Sequence, residues 1–292
     1  MLPKEVLSKV RLIELTTSRL VNAQFAGEYH SVFKGRGMEF DEVREYDPQD
    51  DPRDIDWNVT ARMGHPFTKK FVEERELTVI LLVDASSSGT YGTKGRTKAE
   101  LIAEIAALLA FSAVKNNDYV GLIIFSDRVE KFIPPKKGRM HVLRVVREIL
   151  TFRPKHRGTN VGAALRTLTD VITKRATVFL FSDFIDKGYE KLLKIAHKKH
   201  DVIAVVVEDT TEKSFPMLSS AIEIEDAETG ERMVFGAGKG FRERFHKGWE
   251  ERKVQRDRTF ASVGLDSIEL ETGRPYIGSL VRFFKDREKR AR

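Results

Sequence analysis

Apolar positions fall into two regimes along this chain, and the change comes near Arg75. Downstream, short runs of Val, Ile and Leu alternate with longer amphipathic stretches. "LTVILLVDAS" (77–86) has strand length and no period-2 polarity, which predicts a strand buried on both faces. "TKAELIAEIAALLAFSAVKNND" (97–118) reads as a helix, with Thr97 at the N-cap and Glu100 three residues on to form a capping box. The pattern continues as strand 119–129, helix 140–152, helix 160–175, strand 176–184, helix 189–200 and strand 201–209. A hairpin over 221–235, turning at Thr229 and Gly230, precedes a helix, the short strand "SIELET" (267–272) and a last helix over 276–290. Upstream of Arg75 the pattern predicts one helix over about residues 4–24, followed by a polar, turn-rich segment.

Strands that alternate with helices of this length imply right-handed crossovers, and so a doubly wound, mostly parallel sheet in an α/β, Rossmann-type domain. Ligands of such sheets bind outside the carboxyl ends of the strands. Three loops at those ends carry hard oxygen donors: Asp84 to Ser88, Arg157 to Asn160 and Ser182 to Phe184. Asp84 to Ser88 alone can serve as a helix cap or turn, because Asp and Ser favour both. Capping leaves unexplained why Thr159 and Asp183 fall at edges of the same sheet. Together Asp84, Ser86, Ser88, Thr159 and Asp183 form a set of oxygen ligands that suits a hard cation such as Mg²⁺, or Mn²⁺.

Asp-x-Ser-x-Ser after the first strand, a Thr in a Gly-Thr loop and an Asp after a later strand resemble the metal-ion-dependent adhesion site of von Willebrand factor A domains. All five positions are filled here, by Asp84, Ser86, Ser88, Thr159 and Asp183. "FSD" occurs twice, ending at Asp127 and Asp183; the family order selects Asp183, because it follows the Thr159 loop. Upstream, "GRGMEFDEVREYDPQDDPRDIDWNVTARMGHPFTKKFVEERE" resembles the signature of a bacterial family catalogued as domain of unknown function fifty-eight, whose members carry such an A domain. The resemblance implies a metal touched by the serines and threonine, with the carboxylates acting through water and one position open to a partner's carboxylate. It also implies a MoxR-type AAA+ ATPase as partner, because such genes commonly accompany this family.

Composition narrows the alternatives. The chain has 292 residues, 41% hydrophobic and 33% charged, enough to bury a full core. It has no cysteine, so disulfides, thiolate nucleophiles and thiolate-bound metals are excluded. Lys4, Glu5, Lys9 and Arg11 occupy positions that a secretory leader would keep apolar, and the longest apolar stretch is shorter than a bilayer span and contains Glu104, so a cytoplasmic protein without a membrane span is expected. Net charge is +7 and uneven: residues 1–75 carry 12 basic and 14 acidic side chains, residues 76–240 carry 25 and 21, and residues 241–292 carry 14 and 9. The basic end can face phosphates, or it can be a solvated helix surface, since "RERFHKGWEERKVQRDR" mixes both signs.

Other motifs point less far. "GTYGTKGRTK" lacks the spacing of a phosphate-binding loop, and "GAGKGF" misses the dinucleotide spacing. His197 and His200 share a helix face but have no third ligand, and Trp57 and Trp249 read as packing residues. The acidic run from Asp41 to Asp56 lacks the spacing of a calcium loop; it reads as a salt-bridged face or a docking surface. The sequence therefore predicts a family-signature segment over 1–75 and a von Willebrand factor A-like domain over 76–292. Its expected role is a non-catalytic, cation-dependent protein-interaction module. A metal-assisted hydrolase, with His156 as the nearest candidate base, and nucleic-acid binding through the C-terminal helices are the competing readings.

Overall fold

The protein is described here by a computed structural model, which covers residues 3–21, 29, 39–48, 50–72, 76–86, 97–156, 158–213, 222–225, 232–235 and 239–291. It divides into two compact units, residues 1–32 with 78–292, and residues 33–77. In chain order the elements are α1 (Pro3–Leu20), β1 (Glu39–Glu45), α2 (Trp57–Met63), β2 (Phe67–Val72), β3 (Thr78–Asp84), α3 (Lys98–Lys115), β4 (Tyr119–Phe125), β5 (Val129–Lys136), α4 (Arg139–Thr151) and α5 (Val161–Val171). They continue as β6 (Thr177–Ser182), α6 (Glu190–Lys199), β7 (Asp201–Glu208), the one-turn α7 (Thr210–Lys213), β8 (Ile222–Glu225), β9 (Arg232–Phe235), α8 (Lys239–Val263), β10 (Asp266–Glu271) and α9 (Ile277–Ala291).

The larger unit is built on a six-stranded sheet in the order β10-β7-β6-β3-β4-β5. All neighbours are parallel except β4 and β5. This is the doubly wound, mostly parallel arrangement expected from the alternating pattern. β3 lies in the middle because every residue from Val79 to Leu82 is fully buried, as a strand covered on both faces requires. The chain moves from β3 outward to β4 and β5, then returns to the other side of β3 with β6. The switch point therefore lies between β3 and β6, where ligand sites of such sheets form.

Capping sets where α3 begins: Thr97 Oγ1 accepts the Glu100 N–H at 3.2 Å, and Glu100 accepts the Thr97 N–H at 3.2 Å. The helix is buried nearly all round, since α1 and α4 cover what the sheet does not. Lys9 of α1 pairs with Glu100, and Glu14 of α1 receives Arg139 at 2.6 Å. The first helix of the chain thus packs as a layer of the larger unit. Tyr29, also buried, donates to Asp118 at 3.3 Å.

The strand expected over 119–129 is in fact two strands. The chain reverses at Ser126–Arg128, where the Ser126 N–H donates to the Arg128 carbonyl at 2.8 Å, and β5 returns antiparallel as an edge strand. Pro134 and Pro135 hide β5 from a pattern reading, yet an edge tolerates prolines because one side of the strand needs no ladder bonds. Gly121 of β4 lets Pro135 approach, since a Cβ there would lie 2.8 Å from Ile80 Cδ1 and 3.1 Å from Pro135 Cγ. The expected pairing of β8 with β9 is present and antiparallel, while its turn at Thr229 and Gly230 lies outside the described residues.

Several of the C-terminal charges pair with acids of the sheet. Arg256 of α8, 5% exposed, donates to Glu208 of β7 at 2.8 Å and to Glu269 of β10 at 2.6 Å. Arg287 of α9 reaches Asp201 at 2.5 Å, and Arg290 reaches Asp266 at 2.8 Å. Among the described residues no helix is long and apolar enough to cross a membrane.

The smaller unit contains the antiparallel pair β1–β2, with a bulge between Phe40 and Glu42. α2 is capped by Asp56, whose Oδ1 accepts the N–H groups of Asn58 and Val59 at 2.9 and 3.3 Å, and Gly64 ends it at φ 77°, the left-handed conformation that glycine adopts without strain. The acidic run is occupied with its own backbone and with arginine: Asp51 accepts the Arg53 N–H at 2.9 Å, and Asp50 accepts from Arg44 at 2.6 Å. Trp57, expected to pack, is 68% exposed within the described residues.

His200 closes α6 fully buried. Its Nδ1 accepts the Ala176 N–H at 3.3 Å, and its Nε2 has no hydrogen-bond partner among the described residues. Burial, helped by Lys199 and Arg175, pulls its pKa down to about 4. Below its ordinary value the unfolded chain gains a proton that the folded chain refuses, so stability is lost as pH falls from about 6.5 towards 4, by on the order of 3 kcal/mol through this group. Denaturant unfolding across that window is expected to show a smaller loss for His200→Gln than for the wild type; equal losses would remove His200 from the account.

Candidate metal centre

The polar residues at the switch point are held by the ends of β3, β4 and β6. Asp84, last residue of β3, is 7% exposed, and Ser86 two residues on is 2% exposed. Asp84 Oδ1 accepts the Ser86 N–H at 2.9 Å, the local turn that Asp-x-Ser favours. Asp84 Oδ2 accepts from Ser182 Oγ at 2.7 Å, and Ser182 Oγ in turn accepts the Phe184 N–H at 3.0 Å. Ser182 therefore links the β3 end to the loop that presents Asp183.

That loop is bent against its own preference. Phe184 has φ 58°, a left-handed conformation that costs a bulky residue free energy and persists only where the surroundings enforce it. Here the enforcement is packing: Phe184 is buried edge-on against Phe260 of α8, ring centroids 4.9 Å apart, and beside Tyr189 at 6.0 Å. The bend turns Asp183 back towards β3. Its charge and, more strongly, burial push the Asp84 pKa up to about 7, although the bonds from Ser182 and Ser86 oppose the shift.

Thr159 stands half-buried ahead of α5. Its neighbours anchor the loop on both sides: the Asn160 N–H donates to the Ser126 carbonyl at the end of β4, and the Val161 N–H donates to Asp186 of the Asp183 loop, both at 2.8 Å. Ala85 ties β3 to β4 by donating its N–H to the Phe125 carbonyl at 2.8 Å. Asp84, Ser86, Thr159 and Asp183 thus lie at one end of the sheet, and Ser88 lies outside the described residues. Asp127, the other "FSD" aspartate, is a surface group bound by Arg128 at 3.0 Å. His156 Nδ1 is 3.8 Å from Asp127, also at the surface.

Two further charges join the site that the motif did not announce. Lys98, first residue of α3, is 2% exposed, with Nζ 3.3 Å from Asp183 Oδ2 and hydrogen-bonded to Glu212 of α7. Burial alone would lower the Lys98 pKa, but Asp183 and Glu212 outweigh it and raise the value above the ordinary one. Burial also raises Glu212, partly offset by Lys98. In sequence, Lys98 is only a charged residue at a helix start, and Glu212 only one of many glutamates; their meeting depends on the packing of α3 and α7 across the sheet end.

The donor set is hard and oxygen-only, as Mg²⁺ or Mn²⁺ requires, and the strained pair of buried carboxylates is an environment that a cation relieves. Among the described residues no group of three or more His, Cys, Asp or Glu gathers as a metal cluster.

Fold and sheet-end chemistry define a doubly wound α/β domain with buried acids at its topological switch point. The chain belongs to the family described as Protein of unknown function DUF58, whose model matches residues 42–255. It is 28% identical over 285 residues to "Uncharacterized protein Rv1480" of Mycobacterium tuberculosis (strain ATCC 25618 / H37Rv), covering 97% of this chain and 90% of that protein. YeaD of Bacillus subtilis (strain 168) is 27% identical over 107 residues, 37% of this chain and 25% of that protein. Among solved structures, the conserved hypothetical protein BatB from Bacteroides thetaiotaomicron is 16% identical with a TM-score of 0.49, over 73% of this chain and 99% of that one. The SpRpn10 VWA domain is 12% identical with a TM-score of 0.39, over 70% of this chain and 93% of that domain.

A buried, partly charged Asp84 costs stability in the metal-free protein. Its raised pKa means that the folded state holds a proton the unfolded chain has released, so its contribution is lost as pH rises from about 4 to 7. Asp84→Asn, which keeps an acceptor for Ser86, is expected to raise the thermal midpoint in EDTA at about pH 8 and to leave it nearly unchanged at about pH 5. A lower midpoint for the variant at the higher pH would contradict the buried-charge account.

Proposed function

We propose that the protein is a non-catalytic interaction module that binds Mg²⁺ or Mn²⁺ through Asp84, Ser86, Ser88, Thr159 and Asp183, and captures an acidic side chain of a protein partner through the metal. The observation that carries this reading is the buried Asp84–Asp183 pair at the switch point, two like charges held together by Ser182 and by a strained Phe184. Folding does not gain from such a pair, so its maintenance is a cost that a bound cation offsets. Three neutral hydroxyl ligands would leave the ion's charge largely uncompensated and attractive to a carboxylate.

The non-catalytic reading is supported by the surroundings of His156, which sits on an exposed loop engaged with Asp127 rather than among the buried acids. Nucleic-acid binding by the C-terminal helices is disfavoured by the pairing of Arg256, Arg287 and Arg290 with acidic partners. For the partner, the family resemblance is the support: it implies a MoxR-type AAA+ ATPase.

Titration calorimetry with Mn²⁺ is expected to show one site in the wild type and none in Asp84→Ala. Affinity should fall as pH is lowered from about 8 to 6, because the metal must displace the proton that Asp84 holds near neutrality. Equal binding by wild type and Asp84→Ala would place the metal elsewhere. Capture of a purified MoxR-type ATPase should be lost in EDTA and in Thr159→Ala, and kept in Lys289→Ala; capture that survives EDTA and Thr159→Ala would show that another surface mediates it.

A further inference from the structure

Lys98 Nζ lies 3.3 Å from Asp183 Oδ2 and is also hydrogen-bonded to Glu212. The side chains of Lys98 and Asp183 are 3% and 5% exposed, so water screens this pair poorly. Lys98 is not placed by chance. The Thr97–Glu100 capping box fixes the first turn of α3, which starts at Lys98, and Glu212 is itself fixed by accepting the Asp209 N–H at 2.9 Å. The ammonium is thus held between an Asp that belongs to the metal set and a Glu that does not.

We infer that Lys98 is a tethered cation that occupies Asp183 in the metal-free protein and competes with the divalent ion for that carboxylate, with Glu212 as the place where the displaced ammonium remains paired. The inference rests on the reading of Asp84 and Asp183 as part of a cation site, and it adds a determinant of that site's affinity. An ammonium 3.3 Å from Asp183 lowers the gain a metal makes on arrival, and moving it towards Glu212 keeps it compensated in a dry environment. Lys98 thereby sets the affinity low enough for the site to empty, and couples the β6 end to α7 through one side chain. Its role is positional: it touches Asp183 and is not itself a ligand.

The test is Mn²⁺ binding by calorimetry, with folding followed by circular dichroism. Lys98→Met should bind Mn²⁺ about tenfold more tightly than wild type, because a nearby like charge has been removed from a buried site. Lys187→Met removes an exposed charge from the same loop as Asp183 and should leave affinity unchanged, which separates local competition from the general field. Glu212→Gln should bind a few-fold more weakly, because Lys98 is then thrown onto Asp183 alone; it decides the matter if Lys98→Met does not fold in EDTA. Unchanged or weaker binding by folded Lys98→Met, or unchanged or tighter binding by Glu212→Gln, overturns the competition. No binding by wild type with binding by Lys98→Met would refute the proposed metal-dependent function while supporting the role of Lys98. Binding by wild type with no change in Lys98→Met would do the reverse, and no binding by either removes both.

Discussion

The switch point of the sheet depends on one unfavourable interaction, the approach of two carboxylates in a place almost without water. Asp84 is brought there by β3, a strand buried on both faces, and Asp183 by a loop that bends through a left-handed Phe184. Elsewhere a buried charge is matched directly: Arg256 lies between Glu208 and Glu269. At the switch point the local architecture answers the approach of the two carboxylates by hydroxyl donation from Ser182, by the Ser86 turn and by the ammonium of Lys98.

This arrangement explains why the surrounding scaffold is so heavily packed. Phe184 tolerates its backbone conformation because Phe260 of α8 and Tyr189 press on its ring, and α8 is itself fixed to β7 and β10 through Arg256. A strained, charge-rich loop is stable only where neighbouring elements over-determine it. The C-terminal helices thus contribute to the site without supplying a donor to it. Part of the basic excess at that end of the sequence serves the sheet, through Arg256, Arg287 and Arg290.

Much of this was legible in the sequence because burial on both faces leaves an unmistakable signature. "TVILLV", "YVGLIIF", "TVFLF" and "DVIAVVV" are apolar without alternation, and the strands they form are parallel and central. β5 was not legible, since its prolines and charges describe an edge, and edge strands carry little periodic signal. The packing of α1 on α3 and α4 was equally hidden, because Lys9–Glu100 and Glu14–Arg139 join residues about a hundred positions apart. At the site, the hydroxyls and carboxylates announced themselves by spacing after strands. Lys98 and Glu212 did not, because a lysine at a helix start is ordinarily solvated, and the burial of this one beside Asp183 and Glu212 depends on residues more than eighty positions away.

The central claim is that the end of β3 and β6 is a place for a divalent cation. Crystals soaked in Mn²⁺ and measured at the manganese absorption edge test it most directly, since anomalous scattering locates the ion without reference to any assumed ligand. The account predicts one dominant anomalous peak bordered by Asp84, Ser86, Ser88, Thr159 and Asp183, with the Lys98 ammonium withdrawn from Asp183 towards Glu212. A map without a peak at that position, or with its dominant peak among the acidic residues from Asp41 to Asp56, would contradict it.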